Sequence, residues 1–499
     1  MSEISKRHSL FRIFLIAFAV SLVLRLPTLW VHVIDVDEAI WATFAKVLLE
    51  GLTPYVDYFD NKPIGVIAFM ALVFKAAGSV NLIYVHAVTI LIVVATACVL
   101  FKIADTLSSQ RAGLITSLLY VVFITNYIPK VISTNIETLM NLPLSLAMLA
   151  LITSYKKNAS GNLFMTGFWI ALACCFKYQA GIVAVLAGIV ILVKPPRKII
   201  ADLPCFILGI FPPVIAHVIY LYYFGEESLR AFVKWTLTSS VSYIDAGNTA
   251  LINAKRVTIR IGTYILATLP LWIFAAIRIR RRSADGIIFG WLIVSFIAAL
   301  VGWRLYGHYF LLILPPLTIL AAQQMDLIQK RSVRVITIIS IAIITSGFAI
   351  PRYNFDWVNK KTGEDNPFDY IPIAAAVAEK TAPADRIFVW GYAPAIYYFS
   401  DRIPATRFPN CDYLTGRTSL PGKISEVSVE KFVKSEDWGI WINDMEQNKP
   451  AYIIDTAPAK LHDYENYPIR DYPVIKGYID KFYEFDTDVN GAILYRRKG

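Results

Sequence analysis

The chain has 499 residues, 56% of them hydrophobic and 17% charged, with a mean hydropathy of +0.53, a balance outside that of ordinary soluble domains. It reads as an integral membrane protein, and the formal charge of +11 reflects Lys and Arg gathered in short clusters between apolar runs, not a nucleic-acid surface. Cys98, Cys174, Cys175 and Cys205 lie in apolar runs and only Cys411 lies in the polar C-terminal part, which excludes an internal disulfide there; no Cys or His spacing suggests a metal.

The first apolar run, in KRHSLFRIFLIAFAVSLVLRLPTLW, has a basic start, but Arg25 interrupts it and no small-residue cleavage site follows, so it is read as an uncleaved helix. A helix needs about 20 apolar residues to cross a bilayer. Such windows recur between Phe11 and Ile350, and the expected spans fall near 11–30, 80–103, 112–129, 138–154, 162–176, 178–193, 201–224, 261–277, 286–302, 309–326 and 335–350. With those spans, every basic cluster falls on one side: Lys6, Arg7 and Arg12; Lys102 and Arg111; Lys156 and Lys157; Lys194, Arg197 and Lys198; Arg278 and Arg280 to Arg282; Lys330, Arg331 and Arg334. That side is the cytoplasm. The arrangement requires that PIGVIAFMALVFKAAG, residues 63–78, lie in the interface or re-enter, since a crossing there would switch the side of every later basic loop. The expectation is a mainly α polytopic protein of about 11 transmembrane helices, N-terminus inside and C-terminus outside, with residues 1–350 in the membrane part and an outer-face loop over 31–79.

Residues 351–499 read as a soluble α/β domain. DRIFVW (385–390), AYIIDT (451–456) and GAILYRR (491–497) have strand character, while PFDYIPIAAAVAEK (367–380) and VEKFVKSEDW (429–438) look helical.

The outer-face loop holds Asp35, Asp37, Glu38, Asp57, Asp60 and Lys62 between two membrane-seeking segments. Asp37 can cap a helix through AIWATFAKVLLE that Gly51 closes, but capping accounts for one acid only, and adjacent acids beside a membrane are costly unless used or paired. Lys62 precedes Pro63, expected at the first position of a helix ending at Gly78. A cation at a helix N-terminus is unfavourable unless an anion binds with it. The competing reading is a pair with Asp60 or a lysine reaching to headgroups. Other outer-face groups could complete a site. Arg304 and His308 share a face if their corner is helical, with Tyr306 and Tyr309 alongside, although an aromatic belt fits the same residues. Glu137 begins a span after Asn135, which simple helix N-terminal charge preference also explains. Lys177 and Tyr178 mark a tight apex where a snorkelling lysine is the plainer reading.

The ordered motifs VDEAIWATFAKVLLEG (36–51), DNKPIG (60–65), STNIETLM (133–140) and WRLYGHYFLLILPP (303–316) resemble the GT-C glycosyltransferases of the protein O-mannosyltransferase superfamily, in the bacterial branch that includes lipid A aminoarabinose transferase. DRIFVWGYAPAIYYFSDRIPATRF (385–408) is similar to the soluble domain of many such members. The resemblance implies GT-C architecture in the inner membrane. It implies transfer of a sugar from a polyprenyl-phosphate donor to a glycolipid, glycan or protein acceptor at the outer face, with inversion, and no cofactor. It also implies a catalytic acid at Asp37 with Glu38 as its partner, a second acid at Glu137, and donor-phosphate contacts from Lys62 and Arg304, to which the residue pattern adds His308 as a candidate. Substrate contacts would come from Asn61, Lys177, Tyr178 and Tyr309. The family's Lys-Pro-Pro is Lys-Pro-Ile here, and Asn61 stands where Glu or His often precedes the lysine, so no metal is expected. The absence of a nucleotide-binding glycine loop agrees with a lipid-linked donor. A flippase for a lipid-linked sugar would be expected to place its charges near mid-membrane on broken helices, and a non-catalytic scaffold would leave the donor intact.

Overall fold

The computed structural model describes residues 3–157, 159–238, 254–281, 285–362, 366–408, 410–417 and 435–499. The first nine helices are α1 (Glu3–Arg25), α2 (Val36–Leu49), α3 (Gly65–Ala77), α4 (Leu82–Leu107), α5 (Gln110–Phe123), α6 (Ile136–Lys157), α7 (Gly161–Cys174), α8 (Ile182–Leu192) and α9 (Pro196–Tyr223). Further apolar helices cover Leu269–Arg280, Gly286–Leu300, Leu314–Asp326 and Arg331–Ala349. Among the described residues, five helical stretches, Leu10–Leu29, Leu82–Leu107, Ile136–Lys157, Pro196–Tyr223 and Arg331–Lys360, are long and apolar enough to cross a membrane. The span expected at 261–277 is not straight: Val257–Ala267 and Leu269–Arg280 meet at 86°. Pro270 lacks the N–H that would continue the ladder, and Thr268 ends the first helix by donating its hydroxyl to Tyr264 O at 2.7 Å.

Packing divides the chain into two units, one of residues within 1–32, 83–220 and 247–355, the other of residues within 33–82, 221–246 and 356–499. In the first unit α7 and α9 touch backbone to backbone. A Cβ on Gly167 would stand 2.2 Å from Phe206 O, and one on Gly209 2.0 Å from Phe164 O, so any larger residue would force the helices apart. Two buried arginines hold the connection between α5 and α6. Arg25, at the end of α1, donates to Ile132 O at 2.5 Å and Ser133 O at 3.3 Å. Arg352 donates to Thr125 O and, at 2.9 Å, to Ile128 O. Guanidinium groups spread over several carbonyls satisfy backbone acceptors that no helix can reach.

In the second unit the segment 33–82 and the C-terminal residues pack together. Lys46 of α2 pairs with Asp401 at 2.5 Å, Leu82 N–H donates to Tyr398 Oη at 3.0 Å, and Phe59 N–H donates to Arg407 O at 3.1 Å. The Phe59 ring stacks on Trp235 with centroids 4.1 Å apart and meets Phe408 and Tyr413 edge-on. A five-stranded sheet has the order β2-β1-β3-β5-β4. Its strands are β1 (Arg386–Trp390), β2 (Ile403–Pro404), β3 (Tyr452–Asp455), β4 (Tyr483–Val489) and β5 (Ala492–Arg497). β1 is parallel to β2 and β3, and β5 is antiparallel to β3 and β4. The three strands expected from sequence are β1, β3 and β5. A helix covers Ile371–Lys380 as expected, while that expected over 429–438 begins at Ser435 and runs to Asn448, residues 429–434 lying outside the described residues.

Asp455 ends β3 in a buried position. Burial pushes its carboxyl up to about 6 from 3.8, against the opposing effect of the Ala457 N–H bound to Oδ1. A raised carboxyl stabilises the fold while protonated, so that contribution is complete below about pH 4 and is lost as pH rises through 6, a change of roughly 3 kcal/mol. Thermal melts of the full chain in detergent, followed by the near-ultraviolet signal of the surrounding tryptophans, should show this slope, and Asp455→Asn should flatten it.

Candidate active site

The acidic segment begins α2 with a capping box. Asp35, not Asp37, is the N-cap, its side chain accepting from Asp37 N–H. Asp37 was the expected cap, but its extended neighbour Asp35 has the non-helical backbone a cap requires. The buried Glu38 carboxylate closes the box by accepting from Asp35 N–H at 3.3 Å, and it also accepts from Ile34 N–H at 3.1 Å. Asp37 therefore gives its backbone to the cap while its half-buried carboxylate is not the capping group. Gly51, at φ +82°, follows the last turn as expected.

Lys62 does not stand at the helix start. α3 begins at Gly65 with Ile64 as N-cap, so Pro63 precedes the helix and does not open it. Gly78, at φ +67°, closes it. Lys62 Nζ instead donates to Asp60 Oδ1 at 3.0 Å and Asn61 Oδ1 at 3.2 Å, with 26% of the side chain exposed. The other Asp60 oxygen accepts from Trp41 Nε1 at 3.1 Å, and Lys62 lies 5.8 Å from the Trp41 ring. Trp41 is one turn beyond Asp37 on α2, on the same face. This network ties the lysine to the acidic helix. Sequence reasoning noted Asp60 as a competing partner of Lys62 but missed it as the joint between that lysine and Trp41; adjacency in DNKP was the available signal.

The first unit holds a second cluster. Glu137, in the first turn of α6, is fully buried, and Lys177 Nζ donates to its Oε1 at 2.6 Å. The ammonium also sits 3.6 Å from the centroid of Tyr309, a cation–π contact that in a dry site contributes about 2 kcal/mol. Lys177 is 12% exposed, so it turns inward instead of snorkelling. Among the described residues no hydrogen-bond partner reaches Glu137 Oε2. The corner before Tyr309 is not helical: Trp303 and Leu305 adopt left-handed φ of 50° and 52°, so Arg304, buried between them, and His308 do not share a helix face. His308 instead stacks on Tyr306 at 5.7 Å and meets Tyr309 edge-on at 5.0 Å. Tyr178 opens the turn before α8 and is 39% exposed. The structure thus assembles the expected residues as two sets, Asp37, Glu38, Asn61 and Lys62 in one unit, and Glu137, Lys177, His308 and Tyr309 in the other, with Arg304 and Tyr178 beside the second set in the chain.

Residues 61–223 match the family model described as dolichyl-phosphate-mannose-protein mannosyltransferase. ArnT from Cupriavidus metallidurans bound to undecaprenyl phosphate superposes with a TM-score of 0.59 at 12% identity, over 99% of this chain and 98% of that one. The chain has the GT-C fold. The apo form of the same ArnT gives a TM-score of 0.57 with the same identity and coverage. The archaeal oligosaccharyltransferase AglB from Archaeoglobus fulgidus, in complex with an inhibitory peptide and a dolichol-phosphate, gives 0.52 at 11% identity over 100% of this chain and 75% of that one. No curated protein sequence matches. The GT-C resemblance read from the ordered motifs is borne out, and the matched segment starts at Asn61 and takes in Lys62, Glu137, Lys177 and Tyr178.

The Glu137 and Lys177 pair makes a test that does not depend on activity. Removing one partner of a buried ion pair leaves the other charge uncompensated, at about 3–5 kcal/mol, whereas removing both is far milder. Lys177→Met should therefore lower the melting temperature of the full chain sharply, and Glu137→Gln with Lys177→Met should recover most of the loss. Additive losses in this double-mutant cycle would show that the two groups are not coupled.

Proposed function

We propose that the chain is a membrane glycosyltransferase that moves a sugar from a polyprenyl-phosphate carrier to an acceptor hydroxyl at the outer face of the cytoplasmic membrane, with inversion at the anomeric carbon. The observation that carries this reading is the network on α2, where Asp60 and Trp41 hold the partly exposed Lys62 next to the helix whose first turn presents Asp37. A carboxylate and a fixed cation are what the two halves of the reaction need. Supporting it, the similar ArnT structure is bound to undecaprenyl phosphate, and the family model matched over residues 61–223 is described as dolichyl-phosphate-mannose-protein mannosyltransferase.

In this reading the Asp37 carboxylate takes the proton of the acceptor hydroxyl as its oxygen forms the new bond to the anomeric carbon. The bond from that carbon to the phosphate oxygen breaks, and the lipid phosphate leaves with the electron pair. Lys62 stabilises the charge growing on it, Asn61 is the second unit's candidate for a sugar contact, and Glu38 fixes the turn that carries Asp37. In the first unit, Arg304 and His308 are the candidates for a phosphate contact, and Lys177, held between Glu137 and Tyr309, is the candidate for a donor oxygen, with Tyr178 and Tyr309 as candidates for the sugar. The chain would cross the membrane about eleven times, with the N-terminus cytoplasmic. Residues 1–350 would form the membrane part, 31–79 its outer-face loop, and 351–499 the extracytoplasmic α/β domain.

Purified protein in nanodiscs, incubated with polyprenyl-phosphate sugars and envelope glycolipids, glycans or proteins, should release free lipid phosphate only when an acceptor is present. Asp37→Asn should lower that release at least 100-fold with donor binding retained, and Lys62→Ala should weaken donor binding about tenfold. Normal turnover in both variants, or movement of labelled donor between leaflets without release, would overturn the reading.

A further inference from the structure

An open cleft of about 550 Å³ lies at the edge of the sheet where β3 begins and β5 ends, lined by Lys380, Lys449, Arg496, Arg497 and Lys498 together with Ala451, Tyr452 and Gly499. None of the lining side chains is acidic. The strand register explains the gathering. Tyr452 pairs with Arg496 across β3 and β5, Arg497 N–H donates to Ala451 O at 3.1 Å, and the helix before β1 ends at Lys380 on the same edge. Lys449, in the left-handed conformation at φ 43°, ends the turn into β3.

Only part of this charge is answered within the fold. Asp486 of β4 pairs with Lys380 at 2.9 Å and also accepts from Tyr452 Oη at 3.3 Å, and Glu484 pairs with Arg496 at 2.6 Å. Among the described residues no acidic side chain forms an ion pair with the remaining three cations. Lys498 Nζ donates to Asp480 O at 2.7 Å. Arg497 lies over the rings of Phe482 and Tyr483. The exposed Lys449 side chain has no ion pair or hydrogen bond among the described residues. Like charges held this close by a strand register are mutually repulsive, and a bound anion removes the repulsion. A phosphate monoester, with a charge of about −1.5 to −2 at pH 7 and three acceptor oxygens, matches three unanswered cations better than a carboxylate does. The cleft is open to solvent, so a phosphate can enter it with the sugar or glycerol that carries it remaining partly outside.

We infer that this cleft is an anion site that binds a phosphate monoester borne on a sugar or glycerol, separate from the residues assigned to transfer. The source of the phosphate is either a soluble ester or a lipid headgroup, and the test separates them. Full-length protein in phosphatidylcholine nanodiscs is titrated calorimetrically with glycerol phosphate at low salt. Lys449→Glu with Lys498→Glu, both on the exposed edge, should weaken binding at least tenfold. Arg470→Glu with Lys460→Glu makes the same change of charge beyond the far end of β3 and should leave it within about twofold. If phosphatidic acid in the nanodisc abolishes the glycerol phosphate heat, the cleft takes a lipid headgroup; if the heat persists, it takes the soluble ester. Equal weakening by both double variants, or no heat from the unaltered protein up to millimolar ligand, would overturn the inference. Because the readout is binding alone, it stands or falls independently of the transfer reaction.

Discussion

A charge placed among apolar helices has to be matched where it stands, because water is not there to do it. The Glu137 and Lys177 contact at 2.6 Å obeys that constraint, and so do Arg25 and Arg352, which spread their donors over the carbonyls between α5 and α6. These three devices act on one stretch of chain. The arginines hold residues 125–133, the chain turns into α6 directly afterwards, and Glu137 sits in its first turn. Tyr309 then closes over the ammonium of Lys177. The cluster is stiff because its charges have few other arrangements in which to be satisfied.

The segment from Asp35 to Lys62 follows a different logic, in which its acids divide the work. Asp35 and Glu38 terminate α2, Asp60 fixes Lys62, and Asp37 is left with a carboxylate that the cap does not use. Such a division explains how six charged residues can crowd a short segment without repelling it open. Each structural acid answers a backbone N–H, an indole N–H or an ammonium, and the segment is anchored at further points by Lys46 to Asp401 and Phe59 to Arg407.

Much of this was legible in the amino-acid sequence, and the failures have physical causes. Apolar length marked the helices, because burial against lipid or neighbours demands it, and β-branched runs marked β1, β3 and β5. The bend at Thr268 was hidden by continuous hydrophobicity, which reports transfer into an apolar medium and says nothing about direction; Pro270 was the visible warning. The strand β4, YEFDTDV, was missed because its polar side chains lack a clean alternation. At the site, residue types were legible and their partners were not. Asp37 and Asp35 are equally good caps by chemistry, and only the backbone decided between them. Lys177 was read as reaching outward because its ion partner is forty residues away, and whether the Arg304 corner is helical stayed open because left-handed Trp303 and Leu305 carry no compositional mark.

The assembly of the second unit from distant segments also sets an order of events during synthesis. Lys46 and its partner Asp401 are 355 residues apart. At about 5–20 residues per second, α2 waits roughly 20–70 s after it is made before its partner exists. During that interval every apolar helix between the two must be inserted, while α2 has α3 beside it but not the residues 395–404 that later pack on it. The segment is thus a late-maturing element in an early part of the chain, and a truncation that spared all the apolar helices but removed the C-terminal residues would leave that face of α2 uncovered.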